Sequence, residues 1–514
     1  MTDSGAPTPP PTPALPGPAP AWAAGRPAAV PREPGRLARV LVPFWAERRR
    51  PVETRTLAVC ATAGVLGGAL LVGHRPGLGA ALVGLLVWAA AAPALVRRRD
   101  VHDLATAVLS IALVVVVAFR DAGWVVVLCA LVAAWAGAAA VTSSRSAPAA
   151  ALAPLSWAAG AVRALPWVAK GIETRLGGRR AELLVALRSV AVTVGLLLVF
   201  GLLFASADRV FASYLPRIHA DLLPGQVVVG ALVALVAATL AHLAVAPPSW
   251  SDARLPERAP ARRGEWLLPV LALDAMVVGF VAVQVGGLLG GHRHVLETAG
   301  LTYAQYAREG FAQLVVVTAL TLVVVAVAAR RAPRATPRDR LASRIALGVL
   351  CLGTLGVVAS ALRRMDLYVE AFGLTRLRVF VVVVEVTLAA VLLLVMVAGI
   401  RWRGRWLPRA VVQVVAVAML GLALANPDAQ IVRLNTTADL VADLDVGYLA
   451  GLSADAVPAI AQIEHQPFLR SCLLAAQDVP AATGLADWNL GRQRASWVLA
   501  DEDGSPGSCA RVGR

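Results

Sequence analysis

Residues 379–398 read VFVVVVEVTLAAVLLLVMVA, a run in which Glu385 is the only charged side chain. A helix of this length rises ~30 Å, which matches the hydrocarbon thickness of a bilayer. Similar apolar runs recur along the chain. The predicted membrane helices cover residues 56–72, 78–96, 103–119, 122–141, 189–205, 225–244, 266–289, 311–329, 345–362, 379–398 and 409–425. The sequence therefore predicts an all-α fold, a polytopic transmembrane helix bundle of about 11 spans with a small helical C-terminal tail domain.

The composition supports a membrane protein and excludes a soluble globular enzyme. Of the 514 residues, 58% are hydrophobic and 16% are charged, whereas soluble domains average about 45–50% and about 25%. The net charge of +16 would by itself favour a nucleic-acid partner, but the basic residues lie in the loops between apolar runs. We therefore predict contact with the lipid bilayer and no nucleic-acid partner.

The distribution of basic residues predicts the orientation. With a cytoplasmic N-terminus, the loops assigned to the inner side carry 30 basic residues and the outer loops carry 10. Basic residues stay inside because translocating them is unfavourable. The sequence thus predicts a disordered, Pro-rich cytoplasmic tail at residues 1–35, a transmembrane domain at 36–425 and an extracytoplasmic helical tail at 426–514.

Residues 146–172 interrupt the pattern of spans, because they combine Trp157 and Trp167 with charged residues and three prolines. Prolines and charges disfavour a full membrane crossing. We interpret this stretch as an interfacial amphipathic segment with its Trp rings at headgroup level. A re-entrant element is the alternative that the sequence leaves open.

Three outer loops are rich in polar and aromatic residues and predict an outward-facing polar cluster. Its candidate members are Asp208, Arg209, Tyr303, Arg308, Glu309, Arg364, Asp366, Glu370 and Arg376. Four arginines between residues 363 and 378 run against the positive-inside trend and need partners, of which Asp366 and Glu370 are nearest in sequence. The alternative is that these residues anchor helix ends at the headgroups.

Two acidic residues lie within predicted spans, Asp274 toward the inner side and Glu385 toward the outer side. A carboxylate in hydrocarbon is unfavourable, so each side chain must face protein or water, or be protonated. Such acids are candidates for a proton or ion pathway. A structural hydrogen bond or an Arg partner near the interface is the alternative.

A short motif, E-x-x-G-L-T, occurs at residues 297–302 and again at 370–375, each time before a predicted helix. Thr at a helix start accepts hydrogen bonds from free N–H groups, and Gly permits the preceding turn. Duplicated helical hairpins would explain the two copies, and so would convergent capping.

The tail is predicted to be helical, because apolar residues recur there at helical spacing, namely Leu440, Leu444, Tyr448 and Leu452. Ser453 is expected to cap a helix over residues 454–463, and Trp488 and Trp497 to close a small core. Cys472 and Cys509 lie on the oxidising side of the predicted membrane, so we expect a disulfide between them.

The sequence offers no constellation that indicates a metal, nucleotide or cofactor site. The His residues lack carboxylate or Cys partners at ligand spacing, and no Gly-rich phosphate loop is found. We therefore predict no metal, no cofactor and no catalytic residues, and enzymatic activity is disfavoured.

Several longer segments resemble a bacterial membrane-protein family catalogued as domain of unknown function 4173, which is related to domain of unknown function 4153. These segments lie at residues 204–211, 300–311, 367–378, 426–428, 445–449 and 452–458, and the resemblance extends roughly over residues 95–500. It implies a multi-pass protein of the bacterial cytoplasmic membrane. It implies no activity and no binding residues.

Three functional classes remain open at this stage. The first is a structural or interaction protein of the cell envelope that binds an envelope partner through its tail. The second is a secondary transporter or flippase that uses the two intramembrane acids. The third is a membrane enzyme acting on a lipid-linked substrate, with Asp208, Asp366 and Glu370 as candidate acids.

Overall fold

The computed structural model describes most of the predicted membrane domain and most of the tail. The described residues are 52–176, 222–248, 262–289, 311–333, 335–402, 404–438, 440–441, 443–480 and 482–501, with six isolated positions between 189 and 204. All regular elements in these ranges are helices, as predicted. Ten of the described helices are long and apolar enough to cross a membrane.

The membrane domain contains twelve described helices. They are α1 (Thr54–Leu71), α2 (Leu78–Arg98), α3 (Val101–Val115), which a 3-10 turn extends at Val116–Ala118, α4 (Gly123–Val141), α5 (Ala147–Leu152), α6 (Leu155–Leu176), α7 (Leu223–Val245), α8 (Arg263–Leu289), α9 (Phe311–Arg331), α10 (Pro337–Phe372), α11 (Arg376–Arg401) and α12 (Leu407–Ala425). Apart from α10, which is much longer than the predicted 345–362, the boundaries agree closely with the sequence. The predicted helix at 189–205 and the Pro-rich tail lie outside the described ranges.

The membrane helices pack as two groups. In the first group, α1 to α4 pack with α7 and α12; in the second, α8, α9 and α11 pack around the long helix α10. Close backbone approach joins α1 to α7, because a Cβ on Gly230 would lie 2.7 Å from the Gly64 carbonyl. Small residues at such crossings are typical of membrane helices. The second group has a core of Val, Leu and Ala side chains, and α11 also packs on α12, where the groups meet.

The loops gather at two ends of the helices, which we name the tail end and the opposite end. The loops after α1, α3 and α10 contact the C-terminal tail and define the tail end. The loops after α2, α4 and α11 lie together at the opposite end. Helices α4 and α7 run in the same direction, because α7 begins near Gly73 at the tail end and ends near Arg98 at the opposite end. The side of the membrane that each end faces stays a prediction.

Residues 146–172 form α5 and most of α6. One stripe of α6, which includes Ser156, Gly160 and Ala164, is buried, and α6 packs on α7. Its other side exposes apolar side chains, including Val162 and Leu165. Helix α6 is not among the ten span candidates, so the interfacial interpretation stays a prediction.

The tail forms five short helices with a core of their own. These are α13 (Pro427–Thr437), α14 (Val446–Ala450), α15 (Val457–Ile460), α16 (Pro467–Ala475) and α17 (Leu490–Asp501), with a 3-10 turn at Ala454–Ala456. Ile431, Leu449, Ile460 and Leu473 are fully buried in this core. The tail is therefore helical, as predicted.

Three details of the predicted tail are wrong. Leu440 and Leu444 precede the helix, because Asp445 accepts a hydrogen bond from the Tyr448 N–H and caps α14 at Val446. Trp497 is 63% exposed, and neither it nor Trp488 belongs to the tail core. Ser453 precedes a 3-10 turn and its side chain does not cap a helix, because its hydroxyl donates to Asp428.

Candidate functional site

The tail supplies hydrogen-bond partners to the ends of membrane helices. The first N–H groups of a helix have no partner within the helix. At the start of α2, the Leu78 and Gly79 N–H groups donate to the carbonyls of Trp488 (2.8 Å) and Ala486 (3.0 Å). Backbone of the tail therefore completes the first turn of α2.

Asp455 of the tail caps the start of α4 in the same way. One of its carboxylate oxygens accepts hydrogen bonds from the N–H groups of Asp121 (2.7 Å) and Ala122 (2.8 Å). The Arg120 guanidinium lies 3.8 Å from the other oxygen. The Asp455 side chain is buried, so a carboxyl group of the tail is held at the start of α4.

Asn489 of the tail donates hydrogen bonds to backbone carbonyls at the C-terminal end of α3. Its amide nitrogen donates to the carbonyls of Val117 and Arg120, both at 2.9 Å, where α3 ends. Arg120 in turn donates to the carbonyls of Ala423 (2.6 Å) and Leu424 (2.9 Å) at the end of α12. The last carbonyls of a helix lack hydrogen-bond donors within the helix. Here Asn489 of the tail supplies donors at the end of α3, and Arg120 supplies them at the end of α12.

Arg492 of α17 is a buried cation of the tail. Its guanidinium forms an ion pair with Asp121 at 2.6 Å. It also donates to the carbonyls of Pro76 (2.9 Å) and Asp487 (2.7 Å). A single side chain of the tail thus contacts both the α1–α2 loop and the α3–α4 loop.

Asp428 and Arg376 connect the tail to the second group of helices. Arg376, the first residue of α11, donates from two nitrogens to the two oxygens of Asp428, at 3.0 and 2.7 Å. Asp428 also accepts from the N–H and hydroxyl of Ser453 and from the Trp124 indole. The Arg376 N–H donates to the Tyr448 hydroxyl at 2.8 Å. The two parallel hydrogen bonds from Arg376 to Asp428 make this a strong, two-point ion pair.

Burial acts on both tail carboxyls, but their partners differ. Burial would raise the pKa of Asp428, yet hydrogen bonds from Arg376 and Ser453 together outweigh it and hold that pKa below its ordinary value. Burial also raises the pKa of Asp455, to about 6, and the N–H groups of Ala122 and Asp121 only partly oppose it. Asp428 therefore stays ionised at neutral pH, whereas Asp455 titrates in the mildly acidic range.

We name these interactions the tail-end network. Its members are Arg120, Asp121, Arg376, Asp428, Ser453, Asp455, Asn489 and Arg492. They attach the tail to α2, α3, α4 and α12 of the first group and to α11 of the second. The tail is consequently a clamp across both groups of membrane helices.

The predicted outward-facing cluster is only partly brought together. Asp366 and Glu370 lie on α10, are exposed, and pair with Arg363 at 2.7 and 4.0 Å. Arg376 pairs with Asp428 of the tail and not with Asp366 or Glu370, the acids nearest to it in sequence. Arg364 has its Nε buried and interacts elsewhere. The remaining candidates, Asp208, Arg209, Tyr303, Arg308 and Glu309, lie outside the described residues.

The second E-x-x-G-L-T copy behaves as a helix start. The Thr375 hydroxyl accepts a hydrogen bond from the Arg378 N–H at 3.4 Å and caps α11. Gly373 adopts a positive φ of 73°, and a Cβ there would lie 2.7 Å from the Asn435 side chain. Capping is thus confirmed for this copy. The first copy, at 297–302, lies outside the described residues, so the duplication stays a prediction.

The two intramembrane acids are buried at separate levels. Glu385 is 0% exposed and Asp274 is 6% exposed. Val277 lies against Gly353 of α10, which places Asp274 near the level of Cys351. The hairpin register of α10 and α11 places Glu385 near residue 363, ~20 Å farther along α10. The two acids therefore do not share one site.

Cys472 is buried in the tail core region, while Cys509 lies outside the described residues, so the disulfide between them stays a prediction.

At the opposite end, Arg409 pairs with Asp100 (3.1 Å) and Asp103 (3.2 Å). Within the described part of the chain, no group of three His, Cys, Asp or Glu side chains could hold a metal ion.

A cavity of about 470 Å³ lies at the opposite end between α1, α2, α6 and α7. Its lining includes Glu53, Arg97 and Trp167, but neither Asp274 nor Glu385. Arg97 and Glu53 form an ion pair at 2.7 Å at its rim, with both side chains largely exposed. This cavity is therefore separate from both intramembrane acids and from the tail-end network.

Sequence reasoning did not identify most of the tail-end network as a site. Asp428 and Asp455 stand within the short segments 426–428 and 452–458, which carried the family resemblance, and that was the available signal. Arg120, Asp121, Asn489 and Arg492 lie up to about 370 positions from their partners, so no local pattern could reveal them.

Comparison with known proteins supports the family resemblance. A family model described as a domain of unknown function (DUF4153) matches residues 107–463. This confirms the relation to domain 4153, whereas the name 4173 is not confirmed. No curated protein matches the chain. No solved structure matches it.

Proposed function

This chain belongs to the DUF4153 family, whose function is unknown, and we propose that it is a structural or interaction protein of the bacterial cell envelope. In this proposal the protein spans the cytoplasmic membrane many times. Its tail holds the membrane helices together on the outer side and presents a surface to an envelope partner.

The tail-end network is the observation that carries this proposal. Asp428 binds Arg376 of α11, while Asp455, Asn489 and Arg492 bind the loops beside α2 to α4. Buried ion pairs across two groups of helices oppose their relative movement, because separating them would leave buried charges without partners. Such a clamp suits a rigid scaffold better than a transporter that rocks one group against the other.

Exposed apolar side chains of the tail support an interaction role. Several large apolar side chains of the tail are exposed, namely Val441, Phe468, Leu485 and Trp497. Phe468 is 79% exposed on α16, a helix that the tail-end network does not use. Exposed aromatic side chains on a domain outside the membrane are frequent anchors of protein interfaces.

The proposal can be tested by complementation in a deletion strain of the native host. Phe468→Ser removes an exposed apolar side chain, and Gln466→Ser, at an exposed position two residues away, is the matched control. We expect Phe468→Ser to reach normal membrane levels and normal thermal stability but to lose complementation of the envelope defect. Full complementation by Phe468→Ser combined with Trp497→Ser would contradict the interaction role.

The alternative is a secondary transporter or flippase that uses the intramembrane acids. What supports it is the burial of Asp274 and Glu385 within spans. Under this alternative, Asp274→Asn and Glu385→Gln should abolish complementation, and Phe468→Ser should retain it. The same strain therefore separates the two functions.

A membrane enzyme acting on a lipid-linked substrate is the third class. It requires acids that converge on one substrate. Asp366 and Glu370 lie exposed on one face of α10 and pair with Arg363, and Asp208 lies outside the described residues. Nothing in this arrangement favours acid–base chemistry over a solvated ion-pair cluster, so we rank this class last.

A further inference from the structure

Glu385 occupies the apolar interior of the second group of helices. It lies nine residues beyond Arg376, the first residue of α11, which is ~14 Å along the helix. Ala389 and Leu392 stand on the same stripe of α11 and pack into the Val and Leu core around α10. Both carboxyl oxygens of Glu385 are buried, and neither has a hydrogen-bond partner among the described residues.

The charged groups on the neighbouring helices do not neutralise Glu385. Helices α9 and α12 contain no titratable residue over 311–329 and 410–425. On α10, Arg363 pairs with Asp366, and Arg364 donates no hydrogen bond to either oxygen of Glu385. On α13, Asp428 pairs with Arg376. Within the described part of the chain, no ion pair of 4.0 Å or less reaches Glu385.

An ionised carboxylate in this position would be a buried charge without compensation. Such a charge is too unfavourable to persist in a low-dielectric interior, and the group takes up a proton instead. A protonated carboxyl is neutral, and its desolvation is far less unfavourable than that of a carboxylate. Among the residues that the structure describes, nothing compensates a carboxylate at Glu385, and the protonated form is favoured.

We propose that Glu385 is a proton-binding site within the membrane domain, protonated at neutral pH and able to exchange its proton with water. This inference goes beyond the proposed scaffold function and does not depend on it. Asp274, which is 6% exposed and has a buried Oδ1 without a partner, forms a second site of the same kind, about 20 Å away along α10.

A proton is favoured over a metal cation as the ligand. Hard cations require several oxygen ligands at short range. Around Glu385 the described side chains are mainly Val, Leu and Ala, and the Thr387 hydroxyl already donates to the Val383 carbonyl of its own helix. One carboxyl group in apolar surroundings provides a proton site and no coordination shell.

Infrared difference spectroscopy of the full-length protein in lipid vesicles tests the proposal. The spectrum of Glu385→Gln is subtracted from that of the unchanged protein near neutral pH, with Asp274→Asn as the matched second variant. We expect the carbonyl band of a protonated carboxyl group, which moves to lower frequency after transfer to D₂O. Carboxylate bands instead would overturn the proposal, and so would a carbonyl band that does not respond to D₂O.

If Glu385→Gln does not fold, labelling of the unchanged protein provides the test. An apolar carbodiimide, dicyclohexylcarbodiimide, takes the carboxyl proton onto nitrogen while the carboxylate oxygen adds to its central carbon. The resulting O-acylisourea rearranges to a stable N-acylurea that peptide mass spectrometry locates. We expect label on Glu385 and none on exposed Asp366, with labelling that declines as pH rises. Absence of label on Glu385 would overturn the proposal.

Discussion

Two pairs of buried acids show how differently the same group is used in this molecule. Asp428 and Asp455 lie in the tail-end network, where Arg376, Ser453 and the backbone N–H groups just before α4 surround their oxygens. Glu385 and Asp274 are buried to the same degree within the second group of helices, yet no ion pair reaches either one in the described part of the chain.

The comparison teaches that burial alone does not define the role of an acid. Asp428, which accepts several hydrogen bonds and a two-point contact from Arg376, stays ionised and holds elements together. A carboxyl without such partners is neutral and contributes little to cohesion. Replacing Asp428 by its amide should therefore reduce stability far more than replacing Glu385, and four predictions test this contrast, ordered from the largest expected effect to the smallest.

Asp428→Asn should have the largest effect. The amide leaves Arg376 without its counter-charge and turns a donor toward Ser453, so we expect a loss of about 3 kcal/mol of stability. Thermal unfolding in detergent measures it, together with increased proteolysis of the tail. Asp366→Asn is the matched control, because its exposed pair with Arg363 should contribute less than about 1 kcal/mol. Equal stability of the two variants would show that the clamp does not depend on this ion pair.

Asn489→Ala should have an intermediate effect. It leaves the buried carbonyls of Val117 and Arg120 without their donor, and each such loss is worth about 1–3 kcal/mol. We expect lower thermal stability and faster amide exchange at the end of α3, measured by hydrogen–deuterium exchange. Protection that stays unchanged at Val117 to Arg120 would mean that water replaces the Asn489 amide without a penalty.

Asp455→Asn should alter the pH dependence more than the stability itself. The folded pKa of Asp455 is raised to about 6, so its contribution is fully present below the unfolded value, near pH 4, and is lost as pH rises through 6. We expect the variant to flatten the pH dependence of the unfolding temperature between about pH 4 and 6, measured by thermal unfolding in detergent across that range.

Asp428 contributes in the opposite direction to that profile. Its pKa is lowered, so the stability it provides is present above its ordinary unfolded value, near pH 4, and is lost as pH falls below that range. In the unchanged protein, tail attachment should therefore be strongest near pH 4. A stability profile that rises steadily between pH 4 and 6 would contradict the assignment of Asp455.

Glu385→Gln should have the smallest effect. A neutral amide replaces a neutral carboxyl of similar volume, so we expect a change below about 1 kcal/mol that does not vary with pH. Thermal unfolding in lipid or detergent from acidic to neutral pH measures it. A loss as large as that of Asp428→Asn would show that Glu385 is ionised and paired, and the contrast between the two regions would disappear.

Much of the membrane domain followed from the sequence. Apolar runs long enough to span a bilayer identified ten helices that the structure contains, because in lipid every backbone group must be satisfied within its own segment. The acids Asp274 and Glu385 were also visible, since a charged residue within an apolar run stands out locally. The family relation rested on short segments, which the match over residues 107–463 bears out.

The helical class, the approximate spans and the position of the intramembrane acids can thus be read from the chain, because each depends on residues close together in it. The partners of the charged groups follow from folding. Folding pairs Arg376 with Asp428 rather than with Asp366, and Asp121 with Arg492 across most of the chain length. Hydrogen bonds and ion pairs act over a few ångströms in space, and only packing determines which distant residues come that close.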